Sequence, residues 1–224
     1  MIVKVIMVLN GLIAALSFLF FRKRTQQMRF LGVNFFCQLV AYISLGVFDL
    51  RGMDVNTPSN IQLLSTFLMI TAVYYVELQK RHSRVFLMIT ILFAIFWCIN
   101  FFFIQKTFFN SYTASIGNFI AIGYCIFYFY RLLVDLPAQN LLQLPMFWIS
   151  AGLLVQSAGV SFLYIFTEYL TKFFFNDVLI YWTIHNLLII LGLFPIAIGV
   201  SVDLKNAVAL YKTSGTVASK SALR

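Results

Sequence analysis

Residues 178–202 read VLIYWTIHNLLIILGLFPIAIGVSV, a run between Asp177 and Asp203 that contains no charged side chain. A bilayer-spanning helix needs about 20 mostly apolar residues, so this stretch is long enough to cross a membrane. A lipid interior leaves no partner for open backbone, which makes a helix the only form such a segment can take there. Six similar runs precede it: Val5–Phe21, Phe30–Phe48, Ile61–Val76, Val85–Ile104, Ala114–Tyr130 and Met146–Phe166. Short polar connections separate most of them, the clearest being the Asn56-Thr57-Pro58-Ser59-Asn60 turn signal. Transmembrane barrel strands would show alternating segments of about ten residues, and the chain has none.

The composition agrees. Of 224 residues, 62% are hydrophobic and only 10% charged, against roughly 25% charged in an average globular chain. That balance excludes a soluble enzyme, a disordered chain and a secreted disulfide scaffold. The expected fold class is therefore all-α, a polytopic seven-transmembrane-helix bundle over residues 1–205, followed by a basic cytoplasmic tail at 206–224. The tail starts as a juxtamembrane helix and is expected to end in flexible, small polar residues.

Lys and Arg counts set the orientation. The first run is followed, not preceded, by Arg22-Lys23-Arg24, which is the wrong order for a cleaved signal peptide. With the N-terminus outside, 12 of the 16 basic residues fall on the inner face and 4 on the outer. This predicts N-out and C-in, in a bacterial inner (plasma) membrane, with the basic inner surface against anionic lipids. Nucleic acid is not an expected partner, whereas a membrane or cytoplasmic signalling partner and an oligomer are both compatible with the pattern.

Polar residues inside the spans should face the bundle interior, and their spacing places them on single helix faces. Asn10, Ala14 and Ser17 form one such stripe. Others are Asn34, Gln38 and Ala41; Gln62, Thr66 and Met69; and Gly117, Ala121, Tyr124 and Tyr128. The sixth span carries two, Gly152-Gln156-Gly159 and Ser157-Ser161-Tyr164-Glu168, which predicts a central helix with neighbours on both sides. The fourth has only Thr90 and Asn100, which predicts the most lipid-exposed helix.

In the last span His185, Gly192 and Gly199 recur every seven residues, and Pro195 predicts a kink. Gly192 and Pro195 are accordingly the candidate hinge. His185 is the residue best suited to bind a ligand or carry a proton, although a structural histidine bonded to a neighbouring helix has the same signature. The candidate ligand-binding set is Asn10, Gln38, Gln62, Gln156, Tyr164, Glu168, His185 and Asn186.

Catalytic signatures are absent, and no cofactor or metal is expected. Cys37, Cys98 and Cys125 lie in apolar runs with no zinc-like spacing. The last span has no lysine to form a retinal Schiff base. Three functions remain: a sensor or signalling scaffold with an outward polar pocket, a small-solute transporter or channel with the fourth helix as linker, and a membrane-embedded lipid enzyme using Glu168 and His185.

The segment Pro145-Met146-Phe147-Trp148-Ile149 through Gly152 and Gly159, with His185-Asn186-Leu187-Leu188 and its glycine-rich continuation, resembles a group of small uncharacterised bacterial seven-helix membrane proteins associated with sensor histidine kinases. The likeness covers the last two spans. It implies a signalling neighbourhood and brings no activity with it.

Overall fold

The computed structural model describes residues 2–78, 82–105, 110–135, 140–173 and 178–221, with side chains described outside 167–173, 178–179 and 210–221. The described residues form seven α-helices and no strand: α1 Ile2–Phe18, α2 Gln26–Leu50, α3 Asn56–Glu77, α4 Ser83–Ile99, α5 Ser111–Asp135, α6 Pro145–Phe173 and α7 Val178–Ser221. Six of them, α2 to α7, supply stretches long and apolar enough to cross a membrane, while α1 has 17 residues. The chain is a multi-pass membrane protein. Its outward surface is apolar, with Leu12, Leu87, Leu92 and Phe194 all more than half exposed, as a lipid contact requires.

Local chemistry sets the helix ends. Pro145 opens α6 at a first-turn position that needs no N–H donor, and Leu144 before it is extended. Asp54 closes the turn before α3, its carboxylate accepting from the Asn56 and Thr57 amides at 3.0 and 3.4 Å. These bonds to the ionised form, the Asn56 amide foremost, hold the Asp54 carboxyl below its ordinary range. After α1 the chain reverses at Phe20, which takes a left-handed conformation (φ 57°).

The fourth span ends at Ile104, as its sequence indicates, but with a different local geometry. Its last turn, Asn100–Ile104, is a π-helical turn, and α5 already begins at Ser111. Asn100 is fully buried, and its side-chain NH2 shares its two hydrogens among the Gln105, Asn110 and Thr113 side-chain oxygens. The two helices are thus joined by a polar cluster around Asn100. At the other terminus α7 continues as helix to Ser221, so residues 206–221 extend the last helix.

Consecutive helices are neighbours, α7 closes the ring against α1, and α3 meets α5. α4 lies outside, against α3 and α5. Among the six long helices it has the smallest buried share of its best apolar window, 11%, and α6 has the largest, 44%, in line with the stripe pattern. Tyr74 ties the centre together. Its hydroxyl donates to Ser150 Oγ at 2.9 Å and lies 3.1 Å from Cys125 Sγ, linking α3, α6 and α5.

The tightest interface is the glycine seam of α6 and α7. A methyl group on Gly192 would stand 2.5 Å from Gln156 Cβ and 2.8 Å from the Gly152 carbonyl oxygen, and one on Gly199 would meet the Pro145 carbonyl at 2.7 Å. Glycine here allows close backbone approach, the principal way apolar helices gain contact in lipid. Gly192 is therefore committed to packing, and Pro195 lies one turn on within a continuous helix.

Candidate functional site

A cavity of about 340 Å³ occupies the half of the bundle where α3, α5 and α7 begin. Six helices line it. α2 brings Gln38 and Tyr42, α3 brings Gln62 and Thr66, and α5 brings Asn118 and Tyr124. Gln156 and Tyr164 come from α6, Trp182 and His185 from α7, and Phe93 from α4. The polar stripes explain this convergence: a residue facing the bundle axis at mid-span meets the equivalent residues of the other helices. The volume falls at the lower end of the roughly 300–1,000 Å³ typical of small-molecule sites.

His185 forms one side of the cavity. Its Nε2 is 2.9 Å from the Tyr164 hydroxyl, joining α7 to α6, and its ring meets Trp182 edge-on at 5.4 Å between centroids. His185 is 93% buried, its Nδ1 has no hydrogen-bond partner, and the Asn186 side chain is placed to interact with the ring. The Tyr124 hydroxyl is likewise buried, beside the Thr71 side chain. None of the described lining residues is Asp, Glu, Lys or Arg. The described residues also contain no group of three or more His, Cys, Asp or Glu able to hold a metal ion.

Five of the eight expected ligand-binding residues, Gln38, Gln62, Gln156, Tyr164 and His185, meet at this cavity. Asn10 does not: it is buried in α1, where its amide donates to the Ile6 carbonyl one turn earlier. Asn186 is half-buried beside His185 and does not line the space. The side chain of Glu168 lies outside the described residues. Asn118, Tyr42 and the Phe93 wall escaped the sequence reading. Asn118 had a signal, being the only side-chain amide within the fifth span.

A second polar feature closes the opposite end of the bundle. Arg24 Nη1 donates to Asp203 Oδ2 at 2.5 Å, with side chains 0% and 6% exposed. The same guanidinium donates to the Val200, Leu16 and Leu19 carbonyls. It thereby bonds the end of α1 to α7, just past the membrane-spanning run. Both residues had looked like ordinary inner-face charges. Arg24 is not free to meet lipid headgroups, because Asp203 and three carbonyls already occupy it.

Comparison with protein-family models, curated proteins and solved structures finds no match to this chain.

Proposed function

We propose that this protein is a seven-span, N-out/C-in sensor of the plasma membrane, in which the cavity in the outer half receives a small molecule and α7 carries its occupancy to the inner face. The observation that carries this reading is the double placement of α7. The helix supplies Trp182, His185 and Ile189 to the cavity, donates Asp203 to the buried pair with Arg24, and continues to Ser221. A ligand can shift an equilibrium only through contacts that differ between two states. Gln156 is the contact best placed to do so, because it borders the cavity and rests on Gly192 in the α6–α7 seam. Movement of Gln156 therefore acts on the tightest interface of the bundle. The basic inner surface and the resemblance to proteins associated with sensor kinases fit a membrane or cytoplasmic signalling partner.

Reconstitution of the purified chain alone in liposomes tests this reading. A sensor leaves entrapped neutral solutes in place whether or not the cavity is filled. Solute-dependent flux that is lost in His185→Ala would replace sensing by transport. One observation favours that second reading: the small buried share of α4 is what a linker between two three-helix units would show.

A further inference from the structure

We infer that the cavity takes an uncharged molecule of carboxamide type, with hydrogen-bond donors and acceptors on an apolar, flat body. This rests on the cavity's being a ligand site, as proposed above, and adds the chemistry of what fills it.

Three features converge on that class. First, none of the described lining residues carries an ionised side chain. An ion entering a low-dielectric space must shed its hydration, and the described lining supplies no counter-charge to compensate the loss. Second, four side-chain amides, Gln38, Gln62, Asn118 and Gln156, reach the space from four different helices. None of them makes a hydrogen bond to another described residue. Each offers an N–H pair and a carbonyl, so the best complement presents the same two functions in reverse. Third, the cavity has an aromatic wall, to which Phe67 and Phe93 both contribute. The apolar part of the molecule has a flat wall to lie on, where the Phe67 and Phe93 rings stack with centroids 3.6 Å apart.

Benzamide, benzoate and benzamidinium have nearly the same shape and carry charges of zero, minus one and plus one, so they test the inference directly. Each is added at equal concentration to the purified full-length protein in nanodiscs, and the thermal unfolding midpoint is read. At ten times its Kd, benzamide is expected to raise the midpoint by about 3–6 °C, with the two ions silent. The shift should vanish in Ala121→Trp, which fills the cavity, and shrink in Gln156→Leu. Should Ala121→Trp fail to fold, the Gln38→Leu and Gln62→Leu variants serve in its place, each reducing the shift. A shift from benzoate or benzamidinium at least as large, abolished by the cavity variants, overturns the ligand class and leaves the cavity a ligand site. Silence of all three, or shifts indifferent to the cavity variants, overturns both.

Discussion

Removing the Arg24 side chain should unlatch α1 from α7. In Arg24→Ala, the Asp203 carboxylate keeps its place in a 6% exposed environment and loses its partner at 2.5 Å. The carbonyls of Leu16, Leu19 and Val200 lose a donor as well. Breaking one side of a buried ion pair costs about 3–5 kcal/mol, chiefly because an uncompensated charge remains. Asp203→Asn should cost less, nearer the roughly 1.5–3 kcal/mol of a single bond to a charged group, because the three carbonyls still hold the guanidinium and an amide oxygen can replace the carboxylate. The double variant Arg24→Met/Asp203→Leu should regain most of the loss, since neither charge is then buried. Reversible unfolding in mixed detergent micelles, followed by circular dichroism, gives the four free energies to be compared. An Arg24→Ala loss of less than about 0.5 kcal/mol, or a double variant as unstable as the sum of the single ones, would refute the reasoning.

The glycine seam predicts that Gly152→Ala destabilises the α6–α7 pair by roughly 1–3 kcal/mol, because the new methyl group falls on the Gly192 carbonyl oxygen. Gly46→Ala, which meets nothing within 4 Å, should cost nothing in the same unfolding assay. Asp54 has a lowered pKa, so its stabilising bonds to α3 are complete above its unfolded value, about 3.9, and are lost as pH falls through the folded value. A carboxyl NMR titration midpoint below about 3.9, and a flatter acid limb of stability in Asp54→Asn, would show it. For the orientation, single cysteines at Thr25 and Ser83 should react with an impermeant reagent only once the inner face is opened, and one at Thr57 should react from outside. The reverse pattern would contradict N-out/C-in.

The all-helical, multi-pass architecture was legible because lipid permits few alternatives: an uncharged run of 20 residues has one stable form there. The inward faces were legible for a related reason, a polar side chain at i, i+4, i+7 having nowhere else to point. That logic brought Gln38, Gln62, Gln156, Tyr164 and His185 to one cavity. It placed Asn10 on the right face of α1 and at the wrong site, because an asparagine in a helix can satisfy its amide on its own backbone. Asn118 was overlooked for the opposite reason, sitting one position from the Gly117-Ala121 stripe. Pairing across the chain was not legible at all. Arg24 and Asp203 are 179 positions apart, and no local pattern distinguishes a charge that will be buried from one that stays at the surface.

The most direct test of the central claim is a native mass spectrum of the protein released gently from its own membrane, compared with that of Ala121→Trp. A ligand-filled cavity predicts a discrete small added mass on the wild-type chain, distinct from lipid and absent from the filled variant. A wild-type chain that carries only lipid, with the same spectrum as Ala121→Trp, would contradict it.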